Sequence, residues 1–107
     1  MISDADIEKA LDYMRDNATA AARARAEREY VTEFRKTIKA EIMKENVSES
    51  IGAQEREAYA DQRYKSHLEA IKEAVYQDEY RRFMMEAAKT KISCWQTECS
   101  NKRAERV

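Results

Sequence analysis

The sequence has no proline, one glycine (Gly52), two cysteines and one histidine among 107 residues. Each scarcity excludes something. Without proline, and with a single glycine, the tight turns of sheets and loop-rich folds have almost no residues to build them. Cys94 and Cys99 stand five apart on a predicted helix, about 140° around its axis, which suits neither a disulfide between them nor a shared metal ion. Long hydrophobic runs are missing too, since no stretch approaches the roughly 20 apolar residues that cross a bilayer. The opening Met1-Ile2-Ser3-Asp4 lacks the basic and apolar stretches of a secretion signal, which predicts a cytoplasmic protein with no membrane contact.

Charge of one sign is lacking as well. Twenty basic and 21 acidic residues leave a net charge of -1, so no global positive field draws the chain to nucleic acid, and any such binding must use a local patch.

What remains is 38% charged and 43% hydrophobic residues, much of the latter alanine, and Ala, Glu, Lys, Arg, Gln and Met are the strong helix formers. A mean hydropathy of -0.90 is in the range where chains can stay disordered. Periodicity argues otherwise. Ser3 stands before Asp4, Asp6 and Glu8 as a helix cap, and Ile7, Ala10, Leu11 and Met14 mark one face of a short helix over about 4–16. Asn17 weakens the pattern. A long helix over about 18–46 follows, with Ala20, Ala24, Val31, Phe34, Ile38 and Ile42 in steps close to three and four and Glu27 as the polar member of the stripe. Asn46 to Gly52 holds cap and turn residues, so the reversal is expected at about 47–52. A second long helix over about 53–100, or two collinear ones with Asp61 capping a kink, carries Ala53, Ala60, Tyr64, Leu68, Ile71, Val75, Met85, Ala88, Ile92, Trp95 and Cys99. The basic tail, 101–107, is expected to fray.

The reading is an all-α single domain: an extended helical hairpin with a short N-terminal helix, coiled-coil-like and oligomeric. Its second helix alone would run to roughly 70 Å at about 1.5 Å per residue. Two helices cannot cover every apolar stripe, because Tyr76, Tyr80 and Phe83 form a surface offset from the main one. A homo-oligomer is therefore expected, with Val31, Phe34, Ile38, Ile42, Leu68, Ile71, Val75 and Trp95 at the oligomer interface.

No P-loop, dinucleotide fingerprint, His-Glu-x-x-His or metal-spaced cysteine pair occurs. The lone His67 has no recognisable catalytic company and reads as a helix-surface or interface residue. The chain reads as a non-enzyme with no cofactor, no metal and no small-molecule substrate. Charge is nevertheless segregated. Residues 23–39 hold six cations against three acids, a balance of +3, whereas residues 45–61 hold one cation against five acids, a balance of -4. Tyrosines sit beside cations in Arg28-Glu29-Tyr30, Arg63-Tyr64-Lys65 and Tyr80-Arg81-Arg82-Phe83. Such neighbours can neutralise phosphates while stacking bases. The competing reading is that these aromatics pack in helix interfaces and the arginines pair with nearby acids.

The Ala- and Arg-rich run Ala20 to Arg28, then Glu29-Tyr30-Val31-Thr32-Glu33-Phe34, resembles the small helical proteins that tailed phages encode near their recombination genes. More remotely it resembles UvsY-type recombination mediators. The likeness continues in Gln54-Glu55-Arg56-Glu57-Ala58 leading to Tyr64, and in Glu86-Ala87-Ala88 leading to Trp95 and Asn101-Lys102-Arg103. The resemblance implies an oligomeric accessory in a bacterial host's cytoplasm that binds single-stranded DNA and helps load a recombinase or annealing protein. Arg23, Arg25, Arg28, Lys36 and Lys39 match the expected DNA-binding cations, and Arg81 and Arg82 join them from the third aromatic cluster. The alternative is a protein-protein interaction module, a structural adaptor or an inhibitor of a host protein, using the surface around Tyr76, Tyr80, Phe83 and Trp95 without nucleic acid.

Overall fold

A computed structural model describes residues 1–106. Helix α1 runs Asp4–Glu45, α2 Ile51–Ala60 and α3 Gln62–Glu105, with 42, 10 and 44 residues, and no strand occurs among the described residues. The fold is all-α, a hairpin in which α1 is answered by α2 and α3. The expected single domain resolves into two compact units: Met1–Ala22 with α3 from Glu79 onward, and Arg23–Asp78. Long paired helices touch only what lies level with them, so contacts cannot converge on one centre.

The start of α1 is fixed by a reciprocal cap. Ser3 Oγ accepts from Asp6 N at 3.1 Å while Asp6 Oδ2 accepts from Ser3 N at 3.0 Å, which satisfies two helix-end donors. The break expected near Asn17 is absent. Asn17 Nδ2 donates to the Tyr13 carbonyl one turn back at 2.9 Å, and the alanines that follow favour continuation, so the predicted short and long helices are one.

The reversal also differs from expectation. Asn46 Nδ2 donates to the Ile42 carbonyl at 2.9 Å, Asn46 N and Glu49 N make three-residue turns, and Ser50 caps α2 through Ala53 N. Gly52 thus lies inside α2, with no positive φ and nothing within 4 Å of where a Cβ would stand. The chain turns on side-chain caps, not on glycine freedom. Asp61 is a cap at a kink, as its position suggests. At φ -70 and ψ 140 it leaves the helical region, and its Oδ1 accepts from Arg63 N at 2.7 Å to open α3. Helix α3 continues past Asn101, the expected start of the basic tail, as far as Glu105, and Lys102 and Arg103 in its last turn suit the helix dipole; Val107 lies outside the described residues.

In the Arg23–Asp78 unit the buried residues are Val31, Ile42, Ala58 and Ala74, with Phe34, Ile38, Ile71 and Val75 half-buried. On α3 the inward positions are Tyr64, His67, Ile71, Ala74 and Asp78, strictly alternating steps of three and four. Leu68, expected in the stripe, is 45% exposed, because His67 one residue earlier is in phase with Ala74 and takes its place. The ring Nε2–H of His67 donates to the Val31 carbonyl. On α1 the polar stripe member is Arg28, not Glu27, since Arg28 reaches Asp78 across the seam at 3.1 Å. In the other unit Ile7, Ala10 and Ala88 are buried, and Trp95 is half-buried with its indole N–H donating to Asp4 at 3.3 Å. Most positions predicted for contacts between chains are thus covered by the chain's own second arm.

Candidate functional site

At about 100° per residue, Arg25, Arg28, Lys36 and Lys39 fall within about 80° of one another around α1. Arg35 falls beside Arg28 and belongs with them, although the aromatic neighbours and the family resemblance did not single it out. The signal for it was the helical spacing itself. Arg23 lies about 120° from the nearest of these cations, so helical geometry removes it from the set.

Every one of the four has an acid. Arg25 pairs with Glu29 at 3.5 Å, Lys36 with Glu33 at 2.8 Å, Arg28 with Asp78 at 3.1 Å and Lys39 with Glu55 at 3.7 Å. The Lys36 hydrogen bond holds Glu33 below the ordinary carboxylate pKa. Lys39 Nζ also donates to the Tyr59 hydroxyl at 2.9 Å and stands 4.7 Å above that ring. The Tyr59 contact, ahead of the Glu55 carboxylate, raises the Lys39 pKa. Tyr59, 49% exposed, is the aromatic that accompanies the basic flank. Sequence neighbours could not reveal it, because α2 brings it to Lys39 only after the reversal.

The three tyrosine and cation clusters meet different fates. Tyr30 projects from nearly the opposite side of α1 to the basic flank and stacks on Phe34 at 5.6 Å, which in turn tilts against His67 at 5.8 Å. Arg63 clamps the hairpin, donating to both Glu45 oxygens at 2.8 and 2.6 Å and to Asp61 at 3.0 Å, and Tyr64 meets Tyr59 edge-on at 5.2 Å. These bonds lower the Glu45 and Asp61 pKa values and raise that of Arg63. Arg81 is half-buried in the seam of the first unit, while Arg82 pairs with Glu79 and lies 5.2 Å from the Phe83 ring.

The first unit carries a second surface. Lys9, Ala10, Tyr13, Met84, Ala87, Ala88 and Lys91 line a shallow groove, and Tyr80, Phe83 and Met84 are 50%, 64% and 38% exposed beside it. Tyr76, in the other unit, is 61% exposed. Among the described residues no three His, Cys, Asp or Glu side chains are grouped to hold a metal ion, and no helix is long and apolar enough to cross a membrane.

No protein-family model matches the chain, and no curated protein or solved structure matches it.

Proposed function

We propose that this chain is a non-enzymatic accessory protein that binds single-stranded nucleic acid along the basic flank of α1, in the phage recombination setting that its resemblance implies. There, in the host cytoplasm, it would assist a recombinase or annealing protein. The observation that carries the reading is the gathering of Arg25, Arg35, Lys36 and Lys39 on one flank, with Tyr59 at its edge, while Arg28 on the same side is held in the seam by Asp78. Their acidic partners do not block it. An exposed pair such as Arg25–Glu29 or Lys36–Glu33 contributes only about 0.3–0.5 kcal/mol, so a phosphate can replace the carboxylate at little cost.

Fluorescence anisotropy with a labelled single strand tests this. If about four cations meet phosphates, log K should fall with log salt at a slope of about -2.8. The R25E/K36E variant should lose most affinity, while R23E should lose little. No binding at low salt, or binding indifferent to salt, refutes the proposal.

A second reading, an adaptor or inhibitor that engages a protein, is favoured by exposed Tyr80, Phe83 and Met84 beside the Lys9 and Lys91 groove. Capture of a partner from nuclease-treated lysate by the native chain and not by F83E would select it.

A further inference from the structure

The two arms of the first unit do not end together. Asp4 meets Trp95 and Ile2 N donates to Glu98 at 3.1 Å, so the first residues of α1 stand level with residues 95–98. Helix α3 continues for about two more turns. In this unit every seam position from Arg81 through Met85, Ala88, Ile92 and Trp95 to Cys99 is half-buried or buried. The next two, Lys102 and Arg106, are exposed. The stripe therefore runs on past its cover and turns basic: residues 99–106 hold three cations against one acid, a balance of +2. Trp95, Cys99, Lys102, Arg103 and Arg106 line one open surface there.

The opposite chemistry sits at the reversal. Residues 45–61 carry a balance of -4. Three of their acids are engaged, Glu45 and Asp61 by Arg63 and Glu55 by Lys39, which leaves Glu49 and Glu57 exposed. Beside them Val47 and Ile51 are each 71% exposed. An acidic segment with two bare aliphatic side chains is matched by a basic helix end that offers the face of Trp95 and the thiol of Cys99.

We propose that the reversal segment of one copy docks on the basic end of α3 in a second copy. Val47 and Ile51 meet Trp95 and Cys99, while Glu49 and Glu57 face Lys102, Arg103 and Arg106. The occupant is this chain itself, because both halves of the match are on it and each copy offers one of each. The contact joins two different patches, so it is heterologous and can be repeated from copy to copy. Most of its attraction is between exposed charges and is therefore salt-dependent. It goes beyond the nucleic-acid reading and uses none of the same cations.

Sedimentation velocity across a concentration series tests it on the full chain, at ionic strengths of about 0.01 M and about 1 M, where the screening lengths are about 30 Å and about 3 Å. The native mass should climb above that of one copy with concentration at low salt and return to it at high salt. E49K/E57K alone and K102E/R103E alone should each stay at one copy, with helicity by circular dichroism unchanged. Mixed in equal amounts they should associate again, since each reversed patch then meets its opposite. A native chain that stays at one copy at low salt overturns the proposal. So does an assembly that neither variant weakens, which would place the contact on the Tyr80 and Phe83 face, or a mixture that fails to restore it, which would assign these charges to another ligand.

Discussion

Ile42 and Leu68 look alike in the sequence, since each continues an apolar stripe, yet the structure gives them opposite surroundings, and truncating each to alanine separates the two. Ile42 is 2% exposed. Its truncation removes buried methyl and methylene groups and leaves a void that the neighbouring helix cannot wholly close, at a cost of about 3 kcal/mol. Leu68 is 45% exposed. It gives up only about half of a leucine's transfer free energy of about 2 kcal/mol, and water fills the space, so Leu68→Ala should cost about 1 kcal/mol or less. For a chain of this size the corresponding drops in melting temperature are about 15 °C and no more than about 5 °C. Thermal unfolding followed by far-ultraviolet circular dichroism reads both, at a protein concentration where the native chain sediments as one copy. Equal losses at the two positions would refute the register in which His67 holds the seam. A negligible loss at Ile42 would refute the pairing of α1 with the returning arm.

Three further outcomes follow from the same geometry. Gly52→Ala should stabilise the chain by about 0.5–1 kcal/mol in a denaturant titration, because Gly52 is helical with room for a Cβ, and a loss would mean that the reversal needs glycine after all. Asp6, Glu33, Glu45 and Asp61 are held below their ordinary pKa values of 3.8 for Asp and 4.5 for Glu, first by hydrogen bonds from Ser3, Lys36, Arg63 and Arg63 respectively. Depressed carboxylate pKa values stabilise the fold above those ordinary values, so melting temperature should hold from about pH 7 to 5 and fall as pH drops through about 4.5 to 3. Arg63→Met should shrink that fall by releasing Glu45 and Asp61, and an unchanged acid profile would count against the clamp. Asp78→Leu should destabilise by about 1–2 kcal/mol by removing the carboxylate that answers Arg28 inside the seam, and Arg28→Leu should also cost stability, whereas R28L/D78L should be neutral or more stable. Additive losses in that double-mutant cycle would show the pair to be uncoupled.

The all-helical class was legible because the sequence has almost no turn residues and is rich in helix formers at helical spacing, and the Ser3 and Asp61 caps because short polar side chains precede helical runs. The register was not. Leu68 and Val75 are as spaced for burial as His67 and Ala74, and the choice between them falls to Arg28 and Asp78, polar residues that sequence reading assigns to solvent. Asn17 looked like a stop because asparagine disfavours helix interiors, but a single bond to the Tyr13 carbonyl reconciles it with α1. At the candidate site the cations were visible and their grouping was not. Angle around α1 retains Arg25 and discards Arg23, while Tyr59 joins only through the reversal at residues 46–50.

Fold and binding occupy different positions of one repeat. Inward positions hold the arms together, and there even the polar members, Arg28 with Asp78 and His67 with the Val31 carbonyl, are bonded across the seam. The flanks are free of that duty. Arg25, Lys36, Glu49, Glu57, Lys102 and Arg103 are all exposed, and the pairs that Arg25 and Lys36 make are worth tenths of a kcal/mol each. Exchanging a carboxylate for a phosphate, or for an acidic segment of another copy, therefore costs the fold almost nothing. Reversing those charges should abolish binding or self-association and leave the melting curve nearly where it was. If the charge-reversed chains instead melted several degrees lower, the flanks would be structural, and both proposed contacts would lose their physical basis.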